Sequence, residues 1–188
     1  MFGILFLVVL VVAAFYFVSS YNSLVALKHN AAKAWSNIDV LLKQRHDELP
    51  KLVETCRQYM QYEQDTLKKV MLARSQVASA RESHDVNALG AAESGMRAGL
   101  GKLFALAEAY PELKANEQFL HLQGRITGLE NAISDRREFY NESVNINNVR
   151  IEQFPSNFIA KHFEFAPMDF FKVAETETTD VDIKKAFG

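Results

Sequence analysis

The stretch AWSNIDVLLKQRHDELPKLVE, residues 34–54, has the period of an amphipathic helix. Its apolar residues recur every three or four positions, and Arg45 occupies the same stripe. Because the residue before a proline avoids helical backbone angles, the sequence predicts that the chain folds back at Leu49–Pro50. The alternative is that Pro50 lies inside one much longer helix and kinks it.

The helical repeat continues outward from this stretch. Apolar residues keep a spacing of three or four through the segments 53–77, 86–107 and 119–144. The segments are separated by ARESHD at 80–85 and YPELK at 110–114, which are typical of helix ends. We therefore predict an all-α protein, in which an N-terminal transmembrane helix is followed by an antiparallel bundle of four long helices.

The N-terminal segment MFGILFLVVLVVAAFYFVSSYNSLVAL contains no charged side chain before Lys28. A run of this length and composition is expected to cross a bilayer as an uncleaved helix, the alternative being a cleaved secretory signal. The positive charges that follow it, among them Lys33 and Lys43, predict that the N-terminus lies outside and the C-terminal domain in the cytoplasm. The residues expected to face lipid are Phe2, Leu5, Val8, Val11, Phe15 and Val18.

No motif in the sequence predicts a reaction centre. The net charge of −2 gives no basic field that would attract nucleic acid. Cys56, the single cysteine, lies on an apolar stripe and is expected to be a core residue rather than a nucleophile. Glu117 and His121 form one helical pair, which is fewer than the ligands of a di-iron bundle. We therefore predict no catalytic residue, no metal site and no cofactor.

Charged residues lie on the predicted helix seams, where apolar residues are expected. If the chain folds back at Pro50, Arg45 faces Glu54, and such a pair would set the register of the bundle corner. The alternative is that Arg45 extends to solvent from the end of the bundle. The predicted structural polar seam consists of Arg45, Glu54, Glu63, Arg74, Glu130 and Arg136.

RREFYNESVNINNVR, residues 136–150, is rich in asparagine, which is a poor helix former. One interpretation is that these side chains cap the helix and make hydrogen bonds across the bundle that hold the following segment. The other is a surface that recognises a partner or a neighbouring subunit. The candidate residues for that surface are Tyr140, Asn141, Asn145 and Asn148.

Several blocks, in this order along the chain, resemble the LemA family. They are YNSLV at 21–25, the stretch 34–54, AEAYPELKANEQFLHLQ at 107–123, ENAISDRREFYNESVNINN at 130–148 and FPSNFIA at 154–160. The sequence departs from the family at Lys51, where asparagine often follows the proline. The resemblance implies a bacterial protein with one membrane helix, an antiparallel helical bundle in the cytoplasm and no established enzymatic activity.

We expect a transmembrane anchor at 1–20, a LemA-like bundle at 21–150, and an irregular aromatic-rich segment with an acidic tail at 151–188. The expected function is that of a membrane-anchored interaction or scaffold protein at the bacterial cytoplasmic membrane. Its expected partners are the lipid bilayer, further copies of itself and an unidentified membrane protein. The alternatives are an adaptor for membrane proteolysis or signalling, and a membrane-attached enzyme that uses carboxylates or a metal.

Overall fold

The computed structural model of the protein describes residues 1–174. Its helices are α1 (Phe2–Arg57), α2 (Gln64–Glu82), α3 (Val86–Ala107), α4 (Pro111–Lys114), α5 (Glu117–Glu152) and α6 (Ser156–His162). No strand occurs in this part of the chain, and the predicted all-α class is confirmed. The predicted acidic tail at 175–182 lies outside the described residues.

The chain divides into two compact units. The first unit contains Met1–Val40 and Ala132–Phe170, and the described part of the second contains 41–131 and 171–174. Helices α1 and α5 each contribute one portion to the first unit and another to the second.

The second unit is an antiparallel bundle of four helical segments. The C-terminal part of α1, the whole of α2 and α3, and the N-terminal part of α5 each bury one apolar stripe. Helices joined by so short a connection as residues 83–85 must run in opposite directions. The largest buried apolar side chains of this core are Leu42, Leu49, Leu52, Met60, Leu67, Leu89, Met96, Phe119 and Phe171.

The predicted fold-back at Pro50 is wrong, and the alternative, in which Pro50 lies inside one longer helix, is confirmed. Pro50 lies inside α1, which has 56 residues in total and ends at Arg57. Leu49, Leu52 and Val53 are buried on both sides of the proline. Their packing into the second unit offsets the hydrogen bond that proline removes, so tertiary contacts override a local helix-breaking signal.

The turn that follows α1 instead lies at residues 58–63. It falls inside the segment 53–77, which the repeat predicts as one helix. The Met60 N–H donates to the Cys56 carbonyl at 2.8 Å, and the fully buried Met60 side chain keeps the turn in the core. Because Met60 is as apolar and as buried as a helix-stripe residue, the periodicity does not reveal this turn.

The two other predicted breaks are confirmed, and both have local causes. Asp85 caps α3, since its carboxylate accepts a hydrogen bond from the Ala88 N–H at 2.8 Å. Pro111 begins the four-residue helix α4, where its missing N–H costs nothing. Asn116 then caps α5 by accepting from the Phe119 N–H at 2.9 Å.

The first unit pairs the N-terminal part of α1 with the C-terminal part of α5. The contact between the Trp35 and Tyr140 rings, whose centroids are 5.4 Å apart, sets the register of these two helices. The buried side chains of the first unit include Leu24, Ala31, Ala34, Ile38, Ile133 and Val144. The segment expected to be irregular contains α6, which packs Ile159 and Ala160 against Leu24.

Residues 171–174 of the second unit run along α3 and place Phe171 in the core, fully buried. The carbonyl of Lys172 lies so close to Gly90 that a Cβ there would be 1.9 Å from the oxygen. The Ala174 N–H donates to the Ser94 hydroxyl at 3.0 Å. This short segment, here called the α3 strap, is therefore held by a close approach that requires glycine at 90.

Residues 2–18 of α1 lie outside the core of either unit. The most apolar 18-residue window of α1 has a mean hydropathy of 2.7, and none of that window is buried. By length and composition this is a helix that can cross a membrane.

Candidate functional site

A buried ion cluster lies in the second unit around Arg45. The Arg45 side chain, only 1% exposed, donates through Nη1 to Glu93 Oε2 at 2.9 Å and through Nη2 to Glu93 Oε1. Nη1 also donates to Glu130, whose second oxygen lies 3.7 Å from Arg97 Nε. The cluster thus joins α1, α3 and α5 through one guanidinium group.

The charge of Arg45 is maintained by its neighbours. Burial by itself lowers the pKa of Arg45, but the carboxylates of Glu93 and Glu130 outweigh burial, so the pKa is raised. Removing one partner would leave a charge away from water without compensation.

Glu93 was missed by the sequence reasoning, although a signal was present. It stands four residues after Leu89 and three before Met96, on the buried stripe of α3. A carboxylate at such a position needs a partner, and Arg45 was the basic residue already found on another stripe.

The predicted pair between Arg45 and Glu54 does not form. Glu54 is solvent-exposed and lies 3.5 Å from Arg57 on the same helix. The prediction depended on a fold-back at Pro50, and because α1 continues, residues 45 and 54 belong to one helix. Arg45 meets α3 and α5 instead.

The other residues of the predicted seam are not brought together, apart from Glu130. Glu63 precedes α2 without capping it through its side chain. Arg74 Nε donates to the carbonyl of His46 at 2.9 Å, which ties α2 to α1. Arg136 belongs to the first unit and is exposed. The seam is therefore several separate contacts and not one site.

The arrangement of these groups supports structure more than reaction chemistry. Burial raises the pKa of the Cys56 thiol to about 12, which keeps it protonated and poorly nucleophilic at neutral pH. Glu117 and His121 are both exposed at the start of α5. In residues 1–174 no group of three or more histidine, cysteine, aspartate or glutamate side chains is placed to hold a metal ion.

In the first unit, the asparagine-rich end of α5 binds residues 168–169, here called the α5 strap. The Asn148 side chain donates to the Met168 carbonyl and accepts from the Met168 N–H, both at 2.9 Å. The Tyr140 hydroxyl donates to the Asp169 carbonyl at 3.0 Å. Burial raises the pKa of Tyr140, with a further contribution from Asp169, so the hydroxyl remains a donor at neutral pH.

The other two residues of the candidate partner surface lie elsewhere on α5. Asn141 and Asn145 line a shallow depression beside Phe170, and Asn145 is exposed. Asn147, which is not among those candidate residues, is buried, and its side-chain Nδ2 donates to the side-chain Oδ1 of Asn148 at 3.3 Å. Tyr140 and Asn148 thus bind the chain's own backbone, while Asn145 remains available on the surface.

Asn148→Ala is expected to lower the free energy of unfolding by about 1–2 kcal/mol, since two backbone groups of Met168 lose their partner. Chemical denaturation of the full-length protein in detergent measures this loss. Asn145→Ala, on the same helix but exposed, is the matched control and should change stability by less than about 0.5 kcal/mol. Equal effects of the two substitutions would contradict a role for Asn148 in holding the strap.

An open groove runs between α1 and α5 in the first unit, with a volume of about 490 Å³. Its apolar floor is formed by Leu27, Phe139 and Ile146, and the last two are 55% and 45% exposed. Its polar rim consists of Asn30, Lys33, Asn37, Arg136, Glu142 and Ser143. The groove and the helix expected to cross the membrane belong to the same unit.

The predicted anchor residues are all exposed on the apolar part of α1. They are Phe2, Leu5, Val8, Val11, Phe15 and Val18. Apolar exposure of this extent, continuous over several helical turns, is typical of a surface that contacts lipid.

Comparison with known proteins agrees with this picture. Protein LemA from Metamycoplasma hominis is 29% identical over 185 residues, covering 96% of this chain and 82% of that protein. Magnetosome proteins MamQ 1 and MamQ 2 from Paramagnetospirillum magneticum are each 28% identical over 100 residues. Those alignments cover 53% of this chain and 37% of each MamQ protein, so the chain spans well under two thirds of their length.

The sequence profile of the LemA family matches residues 34–184, which is more than half of the chain. The match includes the helices that carry the ion cluster and the asparagine-rich end of α5. Together with the exposed apolar part of α1, it identifies a membrane-associated helical protein. The chain belongs to the LemA family.

Proposed function

We propose that this protein is a membrane-anchored interaction protein that self-associates laterally at the bacterial cytoplasmic membrane and has no catalytic role. Its N-terminus lies outside, and its helical units lie in the cytoplasm. The observation that carries the proposal is the apolar groove of the first unit, which is formed by α5 and by α1, the helix that carries the apolar run. Anchoring raises the local concentration of grooves in one plane.

The proposed occupant of the groove is a second copy of this chain. All copies anchored in one membrane point the same way, so a two-fold pair must have its axis along the membrane normal. Such an axis places α1 of one copy opposite α5 of the other at equal height. The floors of the two grooves then cover one another, which removes Phe139 and Ile146 from water.

The charges on the rim fit this geometry. Trp35 contacts Tyr140 across the helix pair. Lys33 lies two residues before Trp35, and Glu142 two residues after Tyr140. Because the helices are antiparallel, Lys33 and Glu142 lie at the same height on opposite sides of the groove. The two-fold pair therefore brings Lys33 of each copy to Glu142 of the other, a complementary arrangement.

Self-association is tested in nanodiscs that hold several copies, by chemical cross-linking and by single-particle mass measurement. Wild type is expected to form dimers, and Phe139→Glu to abolish them, because a charge would enter the apolar floor. Leu120→Glu is the matched control, since Leu120 is also on α5 and is 49% exposed outside the groove. Monomeric wild type at membrane densities that saturate the cross-linker would overturn the proposal.

A charge exchange separates a second copy from any other partner. Lys33→Glu and Glu142→Lys alone should each weaken the dimer, because each brings like charges together. The double variant Lys33→Glu with Glu142→Lys should restore it, since both copies then carry the exchanged pair. If the double variant dimerises as weakly as the two single variants, the two-fold contact is ruled out.

A further inference from the structure

Helix α6 packs against α1 where the apolar run of α1 ends. The Ser20 hydroxyl donates to the Ser156 hydroxyl at 3.1 Å. The Phe163 ring lies 4.8 Å from the ring of Tyr21 and 5.9 Å from that of Phe17, centroid to centroid. Together with the packing of Ile159 and Ala160 against Leu24, these contacts place α6 beside residues 17–24 of α1.

The length of the apolar run determines the depth of this contact. Residues 2–18 span about 26 Å at 1.5 Å per residue, close to the ~30 Å hydrocarbon thickness of a bilayer. Residues 17–21 are therefore expected at the boundary between the hydrocarbon and the lipid headgroups. Since α6 contacts that turn of α1, it lies at the same level.

The short helix lies across α1 and not along it. Ser156 at one end of α6 and Phe163 just beyond the other both contact α1 within residues 17–21. Residues 156 and 163 are separated by about 10 Å of helix, whereas residues 17–21 of α1 span only about 6 Å. With α1 crossing the bilayer, α6 therefore extends along the membrane surface.

Exposed aromatic rings lie on α6 and next to both of its ends. Phe154 is 79% exposed, Phe158 is 66% exposed, and their rings are in edge contact at 5.9 Å. Phe163 keeps 42% of its surface exposed despite its contacts with α1. We call Phe154, Phe158 and Phe163 the aromatic patch. Patches of exposed rings at this level correspond to the aromatic belts of membrane proteins.

Charges of both signs surround the aromatic patch, which bears on the kind of lipid contact. Lys161 and His162 are exposed on α6, and Glu152 and Glu164 are exposed beside it. A mixed set of charges does not select acidic headgroups, so apolar insertion must supply most of the attraction.

We propose that the aromatic patch inserts into the interfacial zone of the same bilayer that α1 crosses, giving the protein a second, peripheral membrane contact. If α1 were its sole contact with lipid, the first unit would tilt freely about its anchor. Insertion of Phe154 and Phe158 beside that helix fixes its height and tilt. This inference goes beyond the proposed self-association, because a monomer would make the same contact.

Depth-resolved fluorescence quenching tests the insertion. Phe158→Trp in the full-length protein is reconstituted at one copy per nanodisc of phosphatidylcholine that carries a nitroxide label at acyl carbon 5 or 12. The new tryptophan should emit at shorter wavelength than in water and be quenched at least about twofold more by the shallow label. Tyr62→Trp, 93% exposed in the turn after α1, is the control and should be quenched by neither label. The native Trp35 signal is subtracted with wild-type protein.

Three results would overturn the inference. A Phe158→Trp signal as red-shifted and as unquenched as Tyr62→Trp would place the patch in water. A blue-shifted signal that neither label quenches would show that protein covers the patch. Adding acidic lipid or 0.5 M salt should change the quenching by less than about 20%, and strong salt sensitivity would also contradict apolar insertion. Because each nanodisc holds one copy, these outcomes do not depend on self-association.

Discussion

Arg45→Met is expected to lower the free energy of unfolding of the second unit by about 3–5 kcal/mol. The substitution preserves the length of the side chain but leaves Glu93, only 1% exposed, without the two hydrogen bonds that compensate its charge. Chemical denaturation of the full-length protein in detergent, followed by circular dichroism, measures the loss.

Two further variants determine whether the lost ion pair is the cause. Arg57→Met removes an exposed pair with Glu54 and should cost less than about 1 kcal/mol. Arg45→Met combined with Glu93→Leu replaces both charges by apolar groups and should recover most of the stability, because no carboxylate is then left buried without a partner. Glu130 still has Arg97 at 3.7 Å in that variant. A double variant less stable than Arg45→Met would show that side-chain packing, and not charge, determines the stability at this site.

The ion cluster illustrates how far the sequence can predict such a site. A charge on an apolar stripe indicates that Arg45 must meet a partner inside the protein. The identity of that partner depends on the register between helices distant in sequence, and helical period carries no information about register. The incorrect prediction of a turn at Pro50 was enough to assign Glu54, in place of Glu93 and Glu130, as the partner of Arg45.

Helix boundaries were predictable where a side chain or ring imposes them locally. Asp85 caps α3 through a hydrogen bond, and Pro111 starts α4. The turn at 58–63 contains neither glycine nor proline, and Met60 keeps it buried. Tertiary packing determines whether the chain is helical at Pro50 and in that turn, so no local signal could have revealed the structure there.

The two straps were beyond sequence-based prediction for a similar reason. Residues 165–174 have no periodicity, and their backbone, which forms neither helix nor strand, is held by side chains on helices far away in the chain. The asparagines at the end of α5 did indicate specific hydrogen bonds, and the acceptor of one proved to be the Met168 backbone. Nothing in the sequence distinguishes Gly90, which the α3 strap requires, from the other glycines of α3.

Gly90→Ala is expected to destabilise the second unit by about 1–3 kcal/mol, because the new methyl group would lie 1.9 Å from the Lys172 carbonyl oxygen. That oxygen is main chain, so the α3 strap must move as a whole. Movement would draw Phe171 out of the core and break the hydrogen bond between the Ala174 N–H and Ser94. Trypsin should then cut after the exposed Lys172 at least about tenfold faster than in wild type.

Gly95→Ala is the matched control, since a Cβ at that position on the same helix meets nothing within 4 Å. Alanine is the better helix former, so this substitution should stabilise the unit by about 0.5–1 kcal/mol and leave the cleavage rate at Lys172 unchanged. Of the two glycines, only Gly90 contacts the α3 strap. Opposite signs of the change in stability for the same substitution therefore isolate the effect of that contact. If Gly90→Ala were also stabilising, with cleavage as slow as in wild type, the strap would not lie against α3, and Phe171 would need another site in the core.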